Sequence, residues 1–230
     1  MLSFLRLLIH DICETGDLMD EWEANNFNVS EGHLGGYIMS RSESAPSGLD
    51  VQNSDPATWH PELWLWAMST LNIHSVLDVG CAEGHAARFF QTHGCRVVGV
   101  EGSQRALLAS KIPEQHILHD FTSGPWQPHQ ACEMVWSCEF VEHVEEKFSD
   151  NFLATFATAT RFVFMTFAGP GQPGWHHVNC QSQDYWEAKM GNIGFSLDIK
   201  LTAHARLVAE SGHFARAGLV FRPISSFQPA

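Results

Sequence analysis

Positive charge is scarce in this chain. Its 230 residues hold 13 Lys and Arg against 26 Asp and Glu, a formal −13 with histidine neutral. That balance repels phosphate backbones and anionic lipid headgroups unless basic residues cluster, and no basic cluster stands out. Nucleic acid and membrane surfaces are therefore not expected as partners, whereas a small charged substrate or an isolated nucleotide is compatible. Long apolar runs are missing as well. Nowhere do about 18 apolar residues follow one another, so no spanning helix is expected. Met1 to His10 is apolar but short; it carries Arg6 and runs into Asp11 and Glu14 without a small-residue cleavage site, which reads as an amphipathic or packing segment. The six cysteines (Cys13, Cys81, Cys95, Cys132, Cys138, Cys180) include no CxxC pair, so reduced thiols and a cytoplasmic location are the expectation. No internal repeat is found.

What is present suits one globular domain. Hydrophobic residues make up 44% and charged residues 17% of 25.7 kDa, enough for a sizeable core. The 14 histidines titrate near neutrality and cancel much of the acidic charge below roughly pH 6.5, where solubility is expected to fall. Residues 1–56 read as an N-terminal arm or lid: hydrophobic periodicity is weak, Gly35-Gly36 and Pro46-Ser47-Gly48 break it, and Trp22, Phe27 and Tyr37 are spaced too widely for a helix face. Residues 57–230 form the domain proper.

Within that domain the pattern predicts a helix over 61–71, opened by Pro61 and carried by Leu63, Trp64, Ala67 and Leu71. Short apolar runs then alternate with helical segments. Strands are expected at 75–79, 96–100, 116–119, 134–137 and 162–167, and helices at 84–92, 104–111, 147–159 and 184–191. Further apolar runs at 195–199 and 218–221 complete a sheet. Strands alternating with helices imply right-handed crossovers, hence an α/β three-layer sandwich around a Rossmann-like, seven-stranded, mostly parallel sheet whose last strand is antiparallel. The Gly/Pro-rich 168–174 and polar 176–183 make a long connection of the kind spared for function.

Chemistry concentrates at the strand ends. Val76 to Gly84 is a buried strand running into a glycine-bearing turn that opens a helix, where a ligand meets backbone N–H groups. The next strand ends in Glu101 and Gly102, about 20 residues on, placed to take ribose hydroxyls. The third ends in His119-Asp120-Phe121, a carboxylate for an adenine amino group beside an aromatic ring. A dinucleotide site calls for G-x-G-x-x-G and tolerates no carboxylate near the pyrophosphate; here the order is Gly80-x-x-x-Gly84, with Asp78 two residues before the turn. A cationic ligand with a ribose and an adenine suits Asp78, Glu101 and Asp120 better, and S-adenosylmethionine is one.

Four runs, LDVGCAEG (77–84), VGVEGS (98–103), HDF (119–121) and MVWSCEFVEHV (134–144), together resemble class I S-adenosylmethionine-dependent methyltransferases over about residues 57–199. That resemblance implies roles: Gly80, Cys81 and Ala82 along the methionine part, Glu101 on the ribose, Asp120 and Phe121 at the adenine, Ser137 and Glu139 beneath the sulfonium. Ala82 departs from the family, where many relatives have a second glycine. Methyl transfer to a hydroxyl or a protonated amine also needs a proton removed, and His143, His176 and His177 are the candidate catalytic bases. A zinc site from His176, His177 and Cys180 is the sharper alternative, but its spacing matches no standard motif, so no metal is expected. Trp59, Trp64, Trp66, Trp175 and Trp186 either wall an acceptor pocket or fill the core.

The loop text Gly174-Trp175-His176-His177-Val178-Asn179-Cys180-Gln181 resembles small single-domain methyltransferases of small molecules or saccharides. The function expected is therefore O-methylation of a small-molecule acceptor, yielding S-adenosylhomocysteine. The alternatives are a nucleic-acid or protein methyltransferase, a catalytically silent S-adenosylmethionine-binding module, and a nicotinamide-dependent oxidoreductase on a similar sheet.

Overall fold

A computed structural model describes residues 55–174 and 176–225, together with the backbone of a short antiparallel ribbon, Phe27–Val29 with Met39–Arg41. Expectations for Met1 to His10, Trp22, Tyr37, Cys13 and Trp175 lie outside the described residues, as do the side chains of the ribbon.

Seven strands form the sheet: β1 (Ser75–Val79), β2 (Arg96–Glu101), β3 (His116–Leu118), β4 (Met134–Ser137), β5 (Phe162–Met165), β6 (Phe195–Leu197) and β7 (Leu219–Pro223). Their spatial order is β3-β2-β1-β4-β5-β7-β6. Strands β1 to β5 pair in parallel; β7 runs antiparallel to both β5 and β6. The architecture is the expected one. Alternation explains why helices cover both faces. Along β5, Phe162 and Phe164 point into one core and Val163 and Met165 into the other; Met134 and Trp136 of β4 oppose Val135 in the same way. All four β5 residues are buried, as a two-sided sheet requires.

Among the described residues the α-helices are α1 (Pro61–Thr70), α2 (His85–Thr92), α3 (Gln104–Leu108), α4 (Ser149–Phe156), α5 (Gln183–Asn192), α6 (Ile199–Ala209) and α7 (Gly212–Ala217). One face packs Leu63 and Trp64 of α1, Phe90 of α2 and Phe214 of α7 against the sheet. The other packs Phe152 and Phe156 of α4 and Trp186 of α5. Two of the tryptophans named for an acceptor wall are thus core: Trp64 is 1% and Trp186 0% exposed. Trp59 stacks edge-on to Trp64, and Trp66 leans on His204.

Helices α6 and α7 were not anticipated. The strand expected over 195–199 stops at Leu197, because Asp198 turns its carboxylate back to accept the N–H of Leu201 and starts α6. The buried face of α6 carries Thr202 and Ala205 rather than large apolar residues, so its periodicity is faint. Strand β3 and helix α3 are shorter than expected. The cut at residue 56 falls inside a capped turn: Asp55 accepts the N–H of Ala57 and pairs with His213 of α7. Among the described residues no helix is long and apolar enough to cross a membrane, and their five cysteines are free.

Candidate active site

The strand order reverses at β1, whose neighbours β2 and β4 lie on opposite sides. Carboxyl ends diverging at such a switch point leave a crevice for a ligand. Gly80 follows β1, Glu101 ends β2, Asp120 lies just past β3 and Glu139 just past β4.

The turn after β1 is tightly determined. Gly80 has φ +72°, and a Cβ there would stand 2.3 Å from the Phe140 ring, so both backbone and space demand glycine. Ala82 also sits in the left-handed region, at φ +46°, with no glycine to relax it. The N–H groups of this turn do not await an anion. Those of Gly80 and Cys81 both point to the Val100 carbonyl, that of Gly84 to the Cys81 carbonyl, and that of Ala82 to Glu101 Oε2 at 3.0 Å. Ala87, in the first turn of α2, donates to Asp78 Oδ2 at 3.1 Å. Carboxylates thus already hold two of the amides around the helix start, those of Ala82 and Ala87.

Those carboxylates are electrostatically loaded. Burial, reinforced by the Glu101 charge and opposed by the Ala87 N–H, raises the Asp78 pKa to about 7. Asp78 is 3% exposed, so its influence on a ligand runs through the field and the turn it anchors, not through an exposed contact. Burial also raises the Glu101 pKa, against N–H donations from Ser103, Ala82 and Gly102. Cys81 contributes backbone only: its thiol is buried 3.7 Å from His116 Nε2. Asp120 Oδ1 accepts the Thr122 N–H. The Phe121 ring is 3% exposed and meets Phe140 and Phe152, so it backs the pocket floor instead of lying open. Ser137 is buried and donates to the Val79 carbonyl at 3.0 Å, stapling β4 to β1.

Past β4 a second group assembles. Glu139, at φ +51°, accepts the Thr166 hydroxyl at 2.9 Å through Oε1, while Oε2 lies 3.2 Å from His213 Nδ1. The other ring nitrogen of His213 bonds Asp55. Burial alone would lower the His213 pKa, but the Asp55 hydrogen bond and the Glu139 and Asp55 charges outweigh it and raise it. Burial would raise the Asp55 pKa, but the His213 hydrogen bond and charge outweigh it and lower it. Asp55 and His213 escaped the sequence reading because they lie 158 positions apart, one before the domain's first helix and one on an unanticipated helix.

The three candidate histidines come from the turn 141–143 and the 168–183 connection, which meet. His143 Nδ1 contacts the His176 carbonyl at 3.3 Å, and the His143 and His177 rings are 5.1 Å apart. His176 has φ +51°, and its Nε2 is buried without a partner. Cys180 turns its thiol to the Gln172 carbonyl at 3.7 Å.

Residues 44–198 match the model of a family described as "Methyltransferase domain". No curated protein matches the chain in sequence. Among solved structures, magnesium protoporphyrin IX methyltransferase (ChlM) from Synechocystis with bound SAH is 14% identical, covering 71% of this chain and 80% of that one at a TM-score of 0.52. The same protein with SAM is 16% identical, covering 71% and 76%, at 0.51. The cyclase SpnF is 15% identical, covering 92% and 94%, at 0.52.

Proposed function

The chain belongs to the methyltransferase-domain family, and from that premise we propose that it transfers a methyl group from S-adenosylmethionine to an oxygen of a small-molecule acceptor. One observation carries the reading: the crevice is lined by carboxylates whose neighbouring amides are already taken, a donor set suited to a cation bearing a ribose and an amine and hostile to a pyrophosphate.

In this proposal Glu101 and Gly102 hold the ribose, Asp120 the adenine amino group with Phe121 behind the base, and Gly80 to Ala82 pass along the methionine part. Bound there, the donor supplies a methyl carbon activated by its sulfonium. Ser137 holds the ends of β1 and β4 in register under the reacting centre. Glu139 takes the acceptor's proton, and His213, between Glu139 and Asp55, orients that carboxylate. The 168–183 connection closes over the acceptor and excludes water. The scarcity of basic residues and the small-molecule enzyme ChlM among the fold's neighbours favour a small acceptor over nucleic acid.

The test is incubation of the purified chain with methyl-labelled donor and a fractionated metabolite extract. Label should enter a low-mass species as an ether or ester, with stoichiometric S-adenosylhomocysteine. The cyclase SpnF among the neighbours favours keeping a second reading, a donor-binding protein without transfer. Calorimetric donor binding with no S-adenosylhomocysteine from any fraction would select it.

A further inference from the structure

Glu142 is fully buried, and neither of its carboxylate oxygens has a hydrogen-bond partner. The charge of nearby Glu139 repels an ionised Glu142. An isolated buried carboxylate is costly, and proteins resolve it with a proton or a cation. Two imidazoles stand beside it: ligand atoms of Glu142, His143 and His177 all lie within 4.8 Å of one another. Ligands on one tetrahedral ion are about 3.4 Å apart at the usual bond lengths, so modest side-chain rotation closes the set.

The surroundings orient the ligands. His143 Nδ1 meets the His176 carbonyl and His177 Nδ1 the Gln172 carbonyl, each at 3.3 Å. In the tautomers that donate from Nδ1–H to these carbonyls the lone pairs lie on Nε2, the arrangement outer partners impose on metal-binding histidines. The connection is pinned to the turn, because Val178 and Asn179 both donate to the Glu142 carbonyl, at 2.9 and 3.0 Å, and the Asn179 amide donates to Ser149 Oγ at 3.2 Å. Gly174 makes room for the His177 ring: a Cβ there would stand 2.3 Å from it.

We propose that Glu142, His143 and His177 bind a divalent metal ion of the zinc class through one carboxylate oxygen and two imidazole nitrogens. Mixed nitrogen and oxygen ligands favour such an ion over magnesium or calcium, which take oxygen. Three protein ligands leave a coordination position open to water or an acceptor oxygen, the pattern of catalytic rather than structural sites. The assignment replaces the sequence expectation of no metal, drops His176 and Cys180 from the alternative ligand set, and takes His143 and His177 out of the role of base. It goes beyond methyl transfer and does not depend on it.

The full chain, stripped with chelator, is titrated with Zn2+ in competition with a chromophoric chelator and with Co2+ as an absorption probe. One equivalent should bind, with a Co2+ spectrum of low coordination number. Glu142→Gln and His177→Ala should each weaken binding by more than about 100-fold, beyond the loss of an outer partner. Gly174→Ala should weaken it by displacing the ring, and His204→Ala, on an exposed helix face, should leave it unchanged. Circular dichroism and donor calorimetry report folding and the methyl-donor site separately. If Glu142→Gln fails to fold, His177→Ala on the surface connection decides. Uptake well below one equivalent, or Zn2+ affinity undiminished in His177→Ala, overturns the proposal.

Discussion

Asp78→Asn isolates the electrostatic cost of the crevice. The side chain is 3% exposed and accepts the Ala87 N–H through Oδ2, a bond an amide oxygen accepts equally well; the substitution therefore removes charge and little else. Burial first, and the Glu101 charge after it, raise the pKa from 3.8 to about 7, a displacement of about three pH units, or about 4 kcal/mol at 1.36 kcal/mol each. The sign follows from proton counting. Between pH 4 and 7 the folded chain keeps a proton that the unfolded chain has released, so this group weakens folding progressively as pH rises through that window. Below pH 4 both states are protonated and the group is neutral to stability. Asp78→Asn should match wild type near pH 4 and exceed it by about 2–4 kcal/mol at pH 8, measured by urea unfolding with an unchanged slope. Other titrating groups cancel in the difference between the two proteins. A variant destabilised equally at both pH values would refute the picture of a desolvated charge.

Other outcomes follow from the same geometry. Ala82→Gly should raise Tm by about 1–3 °C, since left-handed backbone costs an alanine roughly 1–2 kcal/mol and glycine returns part of that in chain entropy; a lower Tm would mean the methyl group packs favourably. Gly80→Ala should cost about 2–4 kcal/mol through left-handed strain and overlap with Phe140, visible as a lower urea midpoint, and a silent substitution would contradict the turn geometry. Glu101→Gln should weaken S-adenosylmethionine by about 1–3 kcal/mol in calorimetry, and unchanged affinity removes Glu101 from the donor site. The raised His213 pKa adds stability that is present below pH 6.5 and lost as pH rises through the folded value, whereas the lowered Asp55 pKa adds stability lost as pH falls through its own. His213→Gln should therefore destabilise the chain at pH 6 more than at pH 9, and a pH-independent difference would show that the ring contributes packing alone.

The class of fold and the acidic residues at the strand ends were legible because their signals are local. Strands β1, β2 and β4 are short apolar runs bounded by breakers, and the pattern placed β1 and β4 to the residue. Gly80, Glu101 and Asp120 stand at strand ends whose meeting point follows from parallel topology alone. Helix α6 was not legible, because it buries Thr202 and Ala205 and shows little apolar stripe. Phe121 reads as a ring near the base, and its packing against Phe140 and Phe152 was not legible, because those rings lie far along the chain. The free amides expected at the turn were consumed by Asp78 and Glu101, a competition that spacing does not reveal.

The sequence by itself determined a parallel sheet with an acidic row along its carboxyl edge, since periodicity and strand-end residues are properties of neighbouring positions. Only the tertiary structure decided that His213 comes between Asp55 and Glu139, and that His177 comes beside Glu142 and His143. Those contacts join segments separated by long stretches of chain, and close packing of helices and connections, not any local preference, sets which side chains face one another.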